Sequence, residues 1–252
     1  MHNPFGSFVL ALMFFSRIPL PKMWVDQVPE NAKLKDAVAL FPIIGLLIGL
    51  FPGLVWFLAN QFFPASLSAC LAVAVGLIIT GALHEDGIAD CADGLGATPD
   101  REKALDIMRD STIGTYGALA LIVSIGTRAV ALSLLSPLTG LIALVIAHAG
   151  SRGALSLPLR FSSYARKKGL GELVDGEISD IGWIAALVIA FGIAFLTGWA
   201  SGLIALIAGL VASWMFLKYL EHRLGGYTGD GLGAIQQITE ITIMVVLVGF
   251  WA

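Results

Sequence analysis

Four carboxylates crowd one short stretch of the chain, His84-Glu85-Asp86-Gly87-Ile88-Ala89-Asp90-Cys91-Ala92-Asp93-Gly94. Asp86, Asp90 and Asp93 are spaced four and three residues apart, which on a continuous helix sets them on one face. Three like charges on one face repel, so a positive partner belongs there. A divalent cation is the simplest, and hard carboxylate oxygens suit Mg2+, Mn2+ or Ca2+. Glu85, Asp86, Asp90 and Asp93 are the candidate metal ligands, and Asp230, in the glycine-rich stretch Gly225-Gly226-Tyr227-Thr228-Gly229-Asp230, is a candidate to complete the set. A solvated polar loop is the competing reading. Acids beside a long apolar segment are costly, however, which favours a functional role. Other motifs fail on spacing. An EF-hand counted back from Gly94 would need acids where Ala89 and Cys91 stand, a zincin would need His at position 88, and Gly94-x-Gly96 follows no strand.

A second set of charges lies within apolar segments. Arg128 is deep in one, and His148 and Arg152 are four residues apart on one face of another. Glu240 sits in a third and needs a partner. Pairing with buried acids is one reading of the basic groups. The other is a basic wall that binds substrate phosphates, since arginine offers bidentate donors to phosphate oxygens. Asp110 and Ser111, and Tyr227 and Thr228, are further candidates for substrate contact because small and hydroxyl residues suit phosphate. Metal-binding acids facing arginines fit phosphoryl or substituted-phosphoryl transfer, with an aspartate or His84 taking a proton from an attacking hydroxyl. His84, Asp86, Asp90 and Asp93 are therefore the candidate catalytic groups. Neither a Ser-His-Asp arrangement nor a P-loop offers a competing mechanism.

The elements that must position these groups are set by composition. The chain has 252 residues, 57% hydrophobic, with only 13% charged, about half the charge of an ordinary soluble domain. Its mean hydropathy is +0.86. So few charges exclude a soluble domain, a disordered chain and a basic nucleic-acid binder. Two cysteines, Cys70 and Cys91, allow neither a disulfide framework nor a four-cysteine zinc site. The N-terminal stretch has no early basic cluster and no small-residue cleavage site, so no cleaved signal peptide is expected. Apolar windows over 37–63, 65–83, 114–135, 137–158, 183–200, 202–219 and 236–251 predict an all-α polytopic membrane bundle of about seven spans, within a range of six to eight. Phe5 to Ile18 is too short for a span and suits an interfacial or re-entrant helix. One transmembrane domain is expected over 1–252. Its charged connections, 84–113, 159–182 and 220–235, include Arg160, Arg166, Lys167 and Lys168 and lie on one side, which the positive-inside rule makes cytoplasmic. The other connections are uncharged. Gly45 and Gly49 form a small-xxx-small pair for helix packing. Asp93-Gly94-Leu95-Gly96-Ala97 recurs as Asp230-Gly231-Leu232-Gly233-Ala234, too short to prove a duplication. Oligomeric state is left open, a homo-oligomer included.

The chain resembles the cobalamin 5′-phosphate synthase (adenosylcobinamide-GDP ribazoletransferase) family nearly end to end. The resemblance rests on Phe15-Ser16-Arg17-Ile18-Pro19-Leu20-Pro21, Phe41-Pro42-Ile43-Ile44-Gly45 and the block from His84 to Ala97. It continues in Asp110-Ser111 with Gly114, Tyr116 and Gly117, in Arg152, and in the 225–234 block. It implies a Mg2+-dependent enzyme of the bacterial inner membrane, with its site on the cytoplasmic side. A ribazole hydroxyl attacks the diphosphate of adenosylcobinamide-GDP, GMP leaves, and a phosphodiester forms. The implied partners are the corrinoid nucleotide, ribazole or its 5′-phosphate, and the lipid bilayer, with no nucleic acid. Thr112 stands where a basic residue commonly follows Asp-Ser, and Cys91 where Thr is common. Asp90-x-x-Asp93-Gly94 is also similar to part of the CDP-alcohol phosphotransferase motif, whose remaining residues are missing at the expected spacing. A secondary transporter is a third reading, but it would place acids near mid-membrane in matched halves.

Overall fold

The computed structural model describes residues 3–166 and 178–252. Helix α1 (Pro4–Phe15) starts on a proline that needs no hydrogen-bond partner there. Its 12 residues reach only about 18 Å, short of a crossing, as the sequence predicts. After α2 (Lys22–Val25), a 3-10 turn (Leu34–Leu40) runs straight into α3 (Phe41–Ala59). The small-xxx-small pair acts as expected, because a Cβ on Gly45 would come within 2.2 Å of the His148 carbonyl and one on Gly49 within 2.8 Å of that of Leu144. These contacts press α3 onto α8 (Pro137–Ala154).

Helix α4 (Ala65–Thr80) ends where Gly81 and Ala82 both turn left-handed, φ +64° and +53°. The chain bends by 90° there into α5 (Leu83–Ala97). Span two therefore does not continue straight into the acidic block. The block is a separate helix, and 84–97 is not the loop that the sequence predicts. Short α6 (Arg101–Ile107) is capped by the Asp100 carboxylate on the Lys103 N–H, 2.8 Å. Helix α7 (Thr115–Ser133) precedes α8, and α9 (Ser156–Phe161) follows it.

Helical hydrogen bonding runs through α10 (Asp180–Leu224) for 45 residues, which laid straight would reach about 68 Å, twice the hydrocarbon thickness. The chain breaks at Trp199 (φ 48°, ψ −137°). The Phe161 ring touches both Trp183 and Trp214, with centroids at 5.2 and 5.7 Å, so the two limbs lie side by side. Gly202 makes the fold-back possible, since a Cβ there would sit 2.2 Å from the Ala194 carbonyl. Finally α11 (Gly229–Trp251) is capped by Thr228. It begins seven residues before the predicted seventh span, so of the predicted loop 220–235 only 225–228 is non-helical.

Among the described residues five helical segments are long and apolar enough to cross a membrane, or six if the bent pair α4–α5 is one span. Counting the limbs of α10 separately makes these six or seven, within the six to eight expected from the sequence. Two apolar cores hold the bundle. One gathers Phe15, Leu34, Phe41, Ile44, Leu159, Leu220 and Tyr227. The other gathers Trp56, Leu132, Ile146, Leu206 and Leu247.

Candidate active site

A cleft enclosing about 80 Å3 opens where α1, α5, α9 and the start of α11 meet. Asp86, Asp230 and His84 border it, and its walls are otherwise mostly apolar, including Phe14, Phe15, Leu34, Phe41, Leu159, Tyr164 and Tyr227. Backbone contact between two helices sets this geometry. A Cβ on Gly87 would lie 2.7 Å from the Asp230 carbonyl, and one on Gly233 would lie 3.1 Å from the Gly87 Cα. With no side chain between them, α5 and α11 touch, and the acids beside each glycine are drawn together. Asp90 lies within electrostatic reach of Asp86, Asp230 and Asp93, with Arg166 as the counter-charge. Arg166 donates to Asp230 at 2.7 Å.

Two arginines serve as helix caps. Arg223 donates to the carbonyls of Leu95 (3.2 Å) and Thr98 (2.6 Å), at the end of α5. Arg101 donates to those of Leu224 (2.7 Å) and Ala165 (2.9 Å). A two-stranded bridge, Ala165 N–H to Tyr227 O and Tyr227 N–H to Ser163 O at 2.8 and 2.9 Å, sets Tyr164 beside Tyr227. Tyr164 was not singled out in the sequence, and the polar run around it gave no signal.

The predicted site residues part company here. Asp86, Asp90 and Asp230 are brought together, with His84 beside them. The His84 ring lies parallel to that of Phe15 at 5.9 Å, and its Nε2 is buried without a hydrogen-bond partner. Asp93 is engaged elsewhere, accepting the N–H groups of Gly114 (2.7 Å) and Gly117 (2.8 Å) at the start of α7. It anchors an anion at a helix N-terminus. Glu85, one residue from Asp86, turns into the bundle and is 4% exposed. Among the described residues no group of three His, Cys, Asp or Glu side chains is close enough to hold a metal ion.

The deep charges form their own network. Arg128 bridges Glu85 (2.7 Å) and Glu240 (3.0 Å). Arg152 lies 3.5 Å from Glu240, and His148 Nδ1 lies 3.4 Å from it without hydrogen-bonding geometry. Gln236 donates to Glu240 (2.6 Å) and Gln237 to Glu85 (3.0 Å). Arg128, His148 and Arg152 therefore pair with buried acids, the first of the two readings, and do not line the acidic cleft. Gln236 and Gln237 join the network although the charge pattern does not point to them; two amides inside an apolar span are the signal that marks them.

The remaining candidates lie apart. Asp110 and Ser111 are exposed on the turn before α7. Asp110 accepts from the Thr112 hydroxyl and from its N–H at 3.0 Å, which holds its carboxyl below the usual range. Thr112, standing where a basic residue is common, thus serves Asp110. Tyr227 borders the cleft, whereas Thr228 is buried and donates nothing to it, its Oγ1 accepting the Gly231 N–H at 2.9 Å. The two copies of Asp-Gly-Leu-Gly-Ala are not equivalent, since one closes α5 and the other opens α11. Lys167 and Lys168 lie outside the described residues.

A helical membrane bundle with paired acids at one mouth is the class that fold and site define. The family model described as cobalamin-5-phosphate synthase matches residues 7–248, and the chain belongs to that family. A protein of Leptothrix cholodnii named adenosylcobinamide-GDP ribazoletransferase is 40% identical over 97% of this chain and 96% of its own. Proteins of the same name from Vibrio cholerae and Shewanella woodyi are 36% and 40% identical, each over 96% of this chain and 93% and 95% of their own. None of these three carries the name of a CDP-alcohol phosphotransferase or a transporter. No solved structure matches the chain.

Proposed function

We propose that this chain joins adenosylcobinamide-GDP to α-ribazole or its 5′-phosphate, the reaction in the names of its relatives. The observation that carries the reading is a family match along nearly the whole chain, converging with a cleft whose mouth holds Asp86 and Asp230. In the reaction a ribazole hydroxyl oxygen bonds to the phosphorus attached to the corrinoid arm. The bond from that phosphorus to the bridging oxygen breaks, and GMP leaves with the electron pair. His84 takes the hydroxyl proton on Nε2, the buried atom without a partner beside the cleft.

Mg2+ is proposed as the cofactor. Its fit is tested by the donor set. Asp86, Asp90 and Asp230 supply hard oxygens only, and Mg2+ is commonly held by one or two carboxylates plus substrate phosphates and water. Among the described residues these acids form no three-ligand cage, so an ion here would need phosphate and water to complete its shell. Asp86 and Asp230 would hold the ion with Asp90 behind them; Asp93 and Glu85 have other partners. When bound, the ion neutralises charge on the diphosphate and the leaving group. Arg166, fixed on Asp230 at 2.7 Å, adds a positive charge at the same edge. The apolar walls exclude water from the attacking hydroxyl.

The bacterial inner membrane, with the cleft open to the cytoplasm, is the proposed location, on the strength of the lysine and arginine bias. The test uses protein in nanodiscs with Mg2+. GMP is released from adenosylcobinamide-GDP only when ribazole or its 5′-phosphate is present, and a chelator stops release. No release, or release by water alone, would overturn the reading. A cysteine placed at Ser111 should be labelled by a membrane-impermeant thiol reagent in inverted inner-membrane vesicles and not in spheroplasts; the reverse pattern would overturn the orientation.

A further inference from the structure

The inner part of the cleft has a composition that phosphate chemistry does not require. Behind Asp86 and Asp230 the cavity is walled by Phe15, Phe41, Leu34, Leu159 and the Tyr164–Tyr227 pair, whose rings meet edge to face at 5.5 Å. Phe15 is itself braced edge to face by Phe41 at 4.8 Å, with the His84 ring parallel to it on another side at 5.9 Å. Such walls suit a flat aromatic group, which gains from ring faces and edges and from loss of water.

We propose that this chamber takes the benzimidazole base of the nucleoside acceptor and thereby sets which substrate occupies which half of the site. The proposal rests on the function proposed above. Three observations carry it. First, size: the enclosed space is small, about 80 Å3, so it takes a single planar ring system at most, while a corrin ring with its side arms is far too large and stays outside. Second, polarity: a guanine base brings several ring and exocyclic donors and acceptors, each of which needs a partner when buried. Among the described residues the chamber's polar side chains are Asp86, Asp230, His84 and the hydroxyls of Tyr164 and Tyr227, few against the full set a buried guanine needs. A benzimidazole carries one free ring nitrogen, a lone acceptor, so burying it leaves a single group to satisfy. Third, direction: with the base inside, the ribose lies toward Asp86 and Asp230, where its hydroxyl meets the diphosphate.

The test measures binding and turnover separately on protein in nanodiscs. Calorimetry with α-ribazole alone gives a Kd without any need for catalysis, and initial rates of GMP release give KM for each substrate. Leu159→Trp fills the chamber and is expected to raise Kd and KM for α-ribazole at least tenfold. KM for adenosylcobinamide-GDP stays within about twofold. Tyr164→Ala removes a wall without adding bulk and is expected to raise the ribazole values several-fold, so the outcome does not depend on one variant folding. A rise confined to the corrinoid substrate, unchanged ribazole values in both folded variants, or a lipid or detergent tail in the chamber that α-ribazole does not displace would each overturn the assignment. If the wild type binds α-ribazole as expected but releases no GMP, the proposed reaction fails while the chamber stands.

Discussion

Replacing Arg128 by methionine tests the buried network most sharply. The guanidinium is 6% exposed and stands between two carboxylates, at 2.7 Å from Glu85 and 3.0 Å from Glu240. The network holds two acids and two arginines, so its formal charges balance when the histidines are neutral. Arg128→Met fills a similar length but leaves two buried acids facing one arginine. Removing one partner of a buried pair costs about 3–5 kcal/mol, because the other charge is left without compensation. For a chain of this size that is roughly a 6–20 °C fall in melting temperature. Glu85→Gln alone leaves the opposite imbalance. The double variant Arg128→Met/Glu85→Gln restores one acid to one arginine and is expected to be more stable than Arg128→Met alone. Melting is followed in detergent by intrinsic fluorescence at fixed scan rate for all four proteins. Additive losses, or an Arg128→Met variant within about 1 kcal/mol of wild type, would refute the reasoning, since both would mean that these charges are solvated or otherwise paired.

Asp86→Asn and Asp90→Asn should each abolish Mg2+-dependent GMP release while leaving melting and membrane insertion unchanged; full activity in both variants would dismiss the acids as a catalytic centre. Gly117→Ala puts a methyl 2.3 Å from the Asp93 carboxylate and is expected to cost about 1–3 kcal/mol in the same melts, whereas Gly126→Ala, with nothing within 4 Å, should be neutral or slightly stabilising. Thr228→Ala removes the α11 cap and should cost about 1 kcal/mol, with Thr228→Ser retaining most of the stability; equal losses in the two would show that the methyl group matters and the hydroxyl does not.

The apolar windows made the spans legible because lipid forces every backbone polar group into a helix. The bend at Gly81–Ala82 was hidden, since Gly81 marks a helix end but alanine gives no sign of the second left-handed residue, and the hydropathy runs on around it. Spacing correctly set Asp86 and Asp90 on one face of α5, yet the same rule could not divert Asp93, whose fate depends on the N–H groups of Gly114 and Gly117, more than twenty residues away. Adjacent Glu85 and Asp86 look alike in sequence. About 100° of helical rotation per residue sends one into the bundle and the other to the cleft. Glu240 was recognised as needing a partner, but its partners come from α7, α8 and its own helix, and such tertiary choices leave no local trace.

The layering of the two apolar cores has a consequence for permeability. The cleft brings water and charge into one half of the bundle, and the Arg128 network extends polar groups further along its axis. Beyond that network the helices close on Trp56, Leu132, Ile146, Leu206 and Leu247, each buried, near the turn where the Trp56 indole donates to the Ser136 carbonyl at 3.4 Å. Among the described residues that layer gathers apolar side chains only, so a proton or ion entering from the cleft meets no charged group there and most of a transmembrane voltage would fall across it. The protein can thus perform aqueous chemistry at one mouth without discharging the membrane that holds it, and a charge introduced at Leu206 or Ile146 would be read out as a leak before it was read out as lost turnover.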